Sequence, residues 1–129
     1  MAQNGAQTTP LRWKPLIVCP HTGMARSIQA SLTELGFTEI HEVSEYPRPG
    51  TIAALAAQNG CTICFLDVAS NQDEALPLLS EAVPVVPVVA MNPVNDADLI
   101  LRCLRRGACE FVSEATAEQV SGVLARLAQ

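Results

Sequence analysis

Residues 62–67, with the sequence TICFLD, decide the fold of this chain. Four consecutive apolar residues, one aromatic and one β-branched, follow the Asn59-Gly60 turn signal and predict a strand buried on both faces. Such a strand belongs to the centre of a parallel sheet, and Asp67 follows at its carboxyl end. The sequence therefore predicts an α/β domain with a carboxylate at one edge of its sheet.

The same unit, a short apolar run followed by a stretch of helical period, is repeated along the chain. The other predicted strands are residues 16–19, 37–43, 85–91 and 109–112, and the predicted helices are residues 23–35, 51–58, 73–82, 95–106 and 116–127. Five strand and helix alternations predict a flavodoxin-like, doubly wound, three-layer αβα domain. Its five parallel strands are expected in the order 2-1-3-4-5.

The predicted core takes apolar residues from every one of these elements. It comprises Ile17, Val18, Ile28, Leu32, Ile63, Phe65, Leu66, Val88, Val89, Ile100, Leu104, Phe111, Val120 and Leu124. In the fourth helix, the face expected to point inward holds Ala97, Ile100, Leu101 and Leu104.

Composition and charge exclude several classes of function. The chain has 129 residues, 49% of them hydrophobic, and a formal net charge of -5. These values fit one domain with its own core and no nucleic-acid-binding surface, which needs clustered Lys and Arg. No apolar run is long enough to span a membrane, and no signal peptide is evident. We expect residues 1–14 to be a flexible tail, residues 15–129 to be the domain, and the protein to be cytoplasmic.

The cysteines and histidines suggest packing more than chemistry. Five cysteines fit reduced thiols better than a disulfide framework. Cys61 and Cys64 have a redox spacing, but they enter a strand where a redox pair would open a helix, so core packing is expected. His21 is either a metal ligand with Asp67 or a partly exposed loop or helix-capping residue, and we favour the second interpretation. His41 is expected at the surface.

Three segments resemble the receiver domains of bacterial response regulators. They are residues 64–67 (CFLD), residues 86–89 (VPVV) and residues 104–112 (LRRGACEFV). In order, they are similar to the strand with the phosphoacceptor aspartate, the Pro-Val-Ile strand, and the Arg-Ala-Gly-Ala-Asp-Asp-Phe segment of that family. The resemblance extends from Leu16 onward and implies that Asp67 occupies the phosphoacceptor position.

Of the side chains that the family uses for phosphotransfer, the sequence retains only this aspartate. The family's acidic pair aligns with Cys19 and Pro20, its hydroxyl position with Asn92, and its lysine with Glu114. A thiol and a proline give magnesium no carboxylate oxygen, and a glutamate cannot neutralise a transferred phosphoryl group. The resemblance therefore implies a pseudo-receiver in which Asp67 is vestigial, with no catalytic residue, metal or cofactor.

The expected function is a non-catalytic signalling or localisation module that acts through protein-protein interaction and independently of phosphorylation. Degenerate receivers of this kind also form the amino-terminal domain of the CpaE/TadZ group of pilus assembly proteins, which this chain resembles. We expect an effector or assembly protein as partner, not a histidine kinase. Two alternatives stay open, a receiver phosphorylated on Asp67 and a flavodoxin-like domain that binds a small ligand.

The predicted docking site lies on the fourth helix. With the inward face given above, Leu99 and Cys103 form an apolar pair on another face, close to Arg106. An apolar pair framed by charges suits a small interface, and the arginines of this helix can meet acidic groups of a second copy. Leu99, Cys103 and Arg106 are the predicted interface, with a homodimer as one form and a solvated helix as the alternative.

Overall fold

The computed structural model describes residues 13–94 and 96–128, which form alternating strands and helices. The strands are β1 Pro15–Val18, β2 His41–Val43, β3 Ile63–Asp67, β4 Val88–Met91 and β5 Glu110–Val112. The helices are α1 Thr22–Glu34, α2 Ile52–Gln58, α3 Gln72–Ala82, α4 Ala97–Arg105 and α5 Ala117–Leu127. None of these described helices is long and apolar enough to cross a membrane.

The strands form one parallel sheet in the order β2-β1-β3-β4-β5. This confirms the predicted flavodoxin-like class and strand order. The central strand β3 is buried along its whole length, as its continuous apolar sequence predicts. Because all strands run the same way, the loops after β1, β3, β4 and β5 meet at one edge, next to Asp67.

Helices cover both faces of the sheet and divide the core into two layers. Helices α2, α3 and α4 pack on one face, where Leu16, Leu66 and Leu79 are fully buried. Helices α1 and α5 pack on the other face, around Ile17, Phe65 and their neighbours. Two layers of helices on one parallel sheet give the three-layer domain that the alternation predicts.

Strand β2 is shorter than predicted because its first expected residues belong to the end of α1. Gly36 has a φ of 105°, which an L side chain rarely adopts, and the Phe37 amide donates to the Leu32 carbonyl at 3.0 Å. This arrangement is a Schellman cap, which commonly ends a helix at glycine. Strand β4 is also shorter, since Val85 lies in a turn and is 50% exposed.

The amino-terminal boundary of the domain lies earlier than predicted. Residues 1–12 of the expected tail are outside the described residues. Trp13 packs against the core layer of α1 and α5, and the Lys14 amide donates to Thr62 Oγ1 at 2.8 Å. The Lys14 ammonium also pairs with Glu39 at 3.1 Å. Trp13 and Lys14 therefore belong to the folded domain.

Helix α4 turns a different face to the core than the sequence predicts. Leu99 and Cys103 are 3% and 0% exposed, whereas Leu101 and Leu104 are 46% and 48% exposed. Of the other predicted core residues, Ile100 and Phe111 are half-buried. The predicted inward face is therefore wrong by about a quarter of a helical turn or more.

The end of α4 explains this orientation. Gly107 has a φ of 104°, and the Ala108 amide donates to the Cys103 carbonyl at 3.0 Å, again as in a Schellman cap. Such a cap brings the residue after the glycine against the third residue from the helix end. Ala108 and Cys103 accordingly lie in the same core layer as Leu99. The predicted interface of Leu99, Cys103 and Arg106 is thus wrong for two of its residues, because only Arg106 is exposed.

Candidate functional site

The candidate site surrounds Asp67 at the carboxyl edge of the sheet. Asp67 is the last residue of β3 and only 1% exposed. Cys19 follows β1 and Asn92 follows β4, the strands that flank β3. Both are buried, so the structure brings these two predicted positions to either side of the aspartate.

Both oxygens of the Asp67 carboxyl group accept hydrogen bonds from the protein. Oδ1 accepts from the backbone amides of Ala69 at 2.9 Å and Ser70 at 3.1 Å. Oδ2 accepts from the Ser70 hydroxyl at 2.5 Å, and the Cys19 thiol lies 3.7 Å away on the same oxygen. The carboxyl group therefore closes the turn between β3 and α3, as aspartate side chains often do locally.

Ser70 is a site residue that the sequence reasoning missed. The signal was available, because a hydroxyl three residues after an aspartate is a common turn arrangement. In the structure Ser70 supplies two of the four contacts to the Asp67 carboxyl group. A neutral side chain of the same turn thus donates a hydrogen bond to the buried carboxyl group.

The Cys19 thiol is buried. Its sulfur lies 3.3 Å from the backbone oxygen of His21 and 3.7 Å from Asp67 Oδ2, within hydrogen-bonding distance of both. Burial, and secondly the nearby charge of Asp67, raise the pKa of Cys19 to about 12. The thiol therefore keeps its proton at neutral pH, whereas nucleophilic attack and metal binding need the thiolate.

The residues around Asp67 do not fit a magnesium ion. Mg²⁺ takes oxygen ligands in near-octahedral geometry, but Cys19 presents a protonated thiol and Pro20 has no side-chain oxygen. Both Asp67 carboxyl oxygens already accept hydrogen bonds from the turn between β3 and α3. Within residues 13–94 and 96–128, no three or more His, Cys, Asp and Glu side chains gather where they could hold a metal ion.

Tyr46 covers the end of β3 from the loop after β2. Its hydroxyl donates to the backbone oxygen of Asp67 at 2.6 Å. Burial, and secondly the charge of Asp67, raise the pKa of the Tyr46 phenol. The phenol therefore stays protonated and holds this donation. Sequence reasoning missed Tyr46 because nothing in the sequence shows where the tip of this loop lies.

Asn92, at the hydroxyl position of the family, is 5% exposed. Its Oδ1 accepts from the Val94 amide at 3.1 Å, which fixes the orientation of the side-chain amide. The Nδ2 atom is buried and has no hydrogen-bond partner among the described residues. Asn92 therefore uses its oxygen to shape the loop before α4.

The loop between β5 and α5 carries Glu114 in place of a lysine. The Glu114 side chain is exposed, and its backbone amide donates to Gln119 Oε1 at 2.9 Å. The Ser113 amide donates to the same oxygen at 2.8 Å, and Gln119 Nε2 donates back to Ser113 Oγ. Gln119, from the first turn of α5, thus holds the loop, and Glu114 brings no positive charge to the site.

The same loop is also held from the side of α1. Ala115, the residue after Glu114, has a φ of 54° and is buried. Its carbonyl oxygen accepts from the Ser31 hydroxyl at 2.5 Å, also in a buried environment. A left-handed conformation is uncommon for a residue with a side chain, so this contact and the Gln119 contacts together define one loop conformation.

The other histidine and cysteine predictions concern packing. His21 caps α1, because its Nδ1 accepts from the Met24 amide at 3.0 Å, which confirms the favoured role. His41 is half-buried in β2 rather than fully exposed. Cys61 and Cys64 are buried as expected, and burial raises the pKa of both thiols. The Cys61 and Cys64 spacing therefore reflects core packing.

Helix α4 and the loop before it carry exposed apolar side chains. Four large hydrophobic residues are exposed among the described residues: Val85, Val94, Leu101 and Leu104. Three of these lie on α4 or on the loop that leads to it. A cleft of about 430 Å³, with Val94 and Phe111 in its lining, runs between the loop before α4 and the start of α5. Exposed apolar side chains that cluster often mark contacts with other molecules.

No family model and no curated protein matches the chain. Solved structures do share its fold. A CheY-like protein (tadZ) from Pseudomonas aeruginosa PAO1 is 24% identical, with a TM-score of 0.73 over 88% of this chain and 98% of the other. The signal receiver domain of the DNA binding response regulator merR from Colwellia psychrerythraea 34H is 16% identical, with a TM-score of 0.71 over 89% and 97%.

A third solved structure is the isolated REC domain of RcsB from Salmonella enterica serovar Typhimurium, in the presence of the phosphomimetic BeF₃⁻. It is 13% identical, with a TM-score of 0.68 over 89% of this chain and 87% of the other. At such identities the similarity concerns the fold. The chain has the flavodoxin-like fold of receiver domains, with five parallel strands in the receiver order.

Proposed function

We propose that this chain is a receiver-like module that works by binding another protein and that does not use phosphorylation of Asp67. The observation that carries the proposal is the contact between the Ser70 hydroxyl and Asp67 Oδ2, at 2.5 Å. This carboxylate oxygen, which could attack a phosphodonor, already accepts a hydrogen bond, and Asp67 is only 1% exposed. Phosphorylation would have to break this turn first.

The positions that correspond to the phosphotransfer residues of receivers also hold none of the charges that phosphoryl transfer needs. Such transfer depends on positioning and on neutralising the phosphoryl oxygens, for which receivers use a metal and a lysine. Here the corresponding positions hold a protonated thiol at Cys19, Pro20, and an acidic side chain at Glu114. These positions add no positive charge near Asp67. We therefore propose that the activation barrier for phosphoryl transfer to Asp67 is close to that of the uncatalysed reaction.

In a receiver that acts as a switch, loops near the phosphoacceptor change conformation on phosphorylation. In this chain, hydrogen bonds hold the corresponding loops. The Asp67 turn is held by Ser70 and Tyr46, and the Glu114 loop by Gln119 and Ser31. A fixed site edge suits a constitutive binding module better than a switch. The proposed location is the cytoplasm, and the proposed partner class is an effector or assembly protein, in keeping with the likeness to the CpaE/TadZ group.

Thermal unfolding with Mg²⁺ and beryllofluoride tests the proposal. Beryllofluoride with Mg²⁺ mimics the phosphoryl group on a receiver aspartate, and a ligand that binds only the folded state raises Tm. We expect no shift in Tm for this chain, and the same result for Asp67→Ala. A Tm increase that needs Mg²⁺ and is lost in Asp67→Ala would show a working phosphoacceptor site and overturn the proposal. An ordinary receiver domain serves as the positive control.

A further inference from the structure

The cleft between the loop before α4 and the start of α5 has the size of a small-molecule site. Its volume is about 430 Å³, and pockets for small molecules range from about 300 to 1,000 Å³. Its apolar lining includes Val94, Ile100 and Phe111. Such sites combine apolar walls with a few polar groups that orient the ligand. The polar groups of the lining therefore indicate which ligand the cleft suits.

Asn92 brings an unpartnered hydrogen-bond donor to this cleft. The residue belongs to the lining and is 5% exposed. Its Oδ1 accepts from the Val94 amide at 3.1 Å, so Nδ2 is the atom of the side-chain amide that remains. Nδ2 is buried and has no hydrogen-bond partner within residues 13–94 and 96–128. Because a buried donor without a partner is costly, an acceptor that reaches Nδ2 gains more than it would at an exposed amide.

The remaining polar residues of the lining are a bonded pair and one acidic residue. Gln119 Nε2 donates to Ser113 Oγ at 3.1 Å, and the Ser113 amide donates to Gln119 Oε1 at 2.8 Å. Glu114 is exposed, and in the part of the chain that the structure describes it makes no ion pair within 4 Å. The cleft thus offers a ligand one buried donor and one acidic group on its solvent side.

We propose that this cleft binds a small cationic molecule that carries an apolar group, a carbonyl oxygen and an ammonium group. The carbonyl oxygen accepts from Asn92 Nδ2, the apolar group packs against Val94 and Phe111, and the ammonium group pairs with Glu114. An anionic ligand is disfavoured, because Glu114 would repel it. This inference goes beyond the proposed protein-binding function and does not depend on it.

The carbonyl oxygen reaches Nδ2 after a small shift of the lining side chains, because Nδ2 is itself buried. Side chains at binding sites commonly change rotamer, whereas the backbone usually moves little. Val94 is 60% exposed, so its side chain can turn without loss of core packing. The Val94 amide can keep its bond to Asn92 Oδ1 during this movement, since only the side chain has to move.

Phenylalaninamide is a suitable probe, since it joins an aromatic ring, a carbonyl oxygen and an ammonium group in one small molecule. Mildly acidic buffer keeps its amine protonated. For a ligand of this size we expect a dissociation constant on the order of 0.1–1 mM. A titration of the full chain, followed by proton–nitrogen NMR spectra, measures this constant. The side-chain amide signals of Asn92, identified by their absence in Asn92→Asp, should shift with the same constant as the backbone signals of the cleft.

Two analogues separate the two polar contacts in the unmodified chain. Phenethylamine lacks the carbonyl group, and hydrocinnamamide lacks the ammonium group. We expect phenethylamine to bind about tenfold more weakly than phenylalaninamide, because it leaves Nδ2 without an acceptor. Hydrocinnamamide should bind about threefold more weakly, since an exposed ion pair contributes little. This comparison needs no variant, so it stands even if a substitution prevents folding.

Two variants test the same contacts from the side of the protein, with circular dichroism to check that each is folded. Asn92→Asp replaces the donor nitrogen and keeps Oδ1 for the Val94 amide. It should weaken phenylalaninamide and hydrocinnamamide about tenfold, and it should not weaken phenethylamine. Glu114→Gln should weaken phenylalaninamide and phenethylamine about threefold and leave hydrocinnamamide unchanged.

Glu118→Gln is the matched control for Glu114→Gln. Glu118 is also exposed, in the first turn of α5, but it lies outside the lining of the cleft. The substitution removes the same charge, so we expect it to leave the affinities of all three compounds unchanged. An equal loss of phenylalaninamide affinity in Glu114→Gln and Glu118→Gln would contradict the pairing of the ammonium group with Glu114.

Two other results would overturn the proposal. The first is an unmodified chain whose Asn92 signals do not shift at about ten times the expected dissociation constant. The second is binding of phenethylamine as tight as that of phenylalaninamide, which would mean that Nδ2 receives no acceptor from the ligand. Neither measurement involves Mg²⁺ or beryllofluoride, so a failure of this proposal and a failure of the proposed function can be told apart.

Discussion

The hydroxyl of Ser70 lies 2.5 Å from Oδ2 of Asp67, so a side chain of the same turn donates a hydrogen bond to the carboxyl group. The Ser70 amide also donates to Oδ1, which makes the pair a local structural unit. A carboxyl group that closes a turn contributes to stability. The contacts thus give Asp67 a structural role in the turn between β3 and α3.

Replacing Ser70 by Ala should destabilise the domain. The substitution removes the hydroxyl donor and leaves Asp67 Oδ2 with only the distant Cys19 thiol, which costs about 1–3 kcal/mol for a buried acceptor. Urea unfolding measures this change. Ser44→Ala is the control, since Ser44 is exposed in a loop and should change stability by no more than about 0.5 kcal/mol. Equal stability of the two variants would mean that the Ser70 contact is unimportant.

Stability should fall in alkaline solution because of the buried thiols. Burial raises the pKa of Cys19 and Cys64 from 9.0 to about 12 in the folded protein. A raised pKa in the folded state gives a stability contribution that is complete below the unfolded value of 9.0 and is lost as the pH rises toward 12. The urea midpoint should therefore decrease above pH 9. In Cys19→Ala this decrease should be shallower, and an unchanged slope would argue against burial of the thiol.

Replacing Ala115 by Gly should cost much less than the same change at Ala56. Both alanines are buried at 2% exposure, but Ala115 has a φ of 54° and Ala56 lies within α2. Glycine in a helix costs about 1 kcal/mol, and the buried methyl group adds to that. At Ala115 the relief of left-handed strain, about 1–2 kcal/mol, offsets the same losses. Urea unfolding of both variants checks this, and an equal cost would contradict the strained conformation of Ala115.

Truncation of two leucines tests the orientation of α4. Leu99→Ala should lower the free energy of unfolding by about 2–5 kcal/mol, as for a buried leucine. Leu101→Ala should change it by about 0.5 kcal/mol or less, because Leu101 is exposed. A larger loss of unfolding free energy in Leu101→Ala than in Leu99→Ala would instead support the inward face that periodicity alone predicts.

The contrast between β3 and α4 shows what the sequence determines by itself. The apolar run before Asp67 has one structural solution, a buried parallel strand, and that solution places the aspartate at the sheet edge. Helix α4 has several apolar pairs at the same spacing, among them Leu99 with Cys103 and Ile100 with Leu104. Helical period cannot choose between two such pairs. The Schellman cap at Gly107 determines which pair faces the core, because its hydrogen bond from the Ala108 amide to the Cys103 carbonyl places Cys103 next to Ala108.

The candidate site also contains residues whose positions the sequence predicts and one residue whose position it does not. Cys19 and Asn92 follow strands, so parallel topology predicts their places beside Asp67. Ser70 could have been found from its spacing to Asp67, because turn contacts are local in sequence. Tyr46 could not, since its position depends on how a loop folds back over the sheet edge.

Intact-mass analysis after treatment with acetyl phosphate and Mg²⁺ tests the central claim most directly. The claim is that Asp67 does not accept a phosphoryl group. Its carboxyl group is hydrogen-bonded within the protein, and the proposal gives it no metal site and no cation at the lysine position. We expect the mass of the unmodified chain to stay the same, as for Asp67→Ala, while an ordinary receiver domain gains phosphate under the same conditions. A stable phosphate-sized gain in the unmodified chain that is absent from Asp67→Ala would contradict the claim.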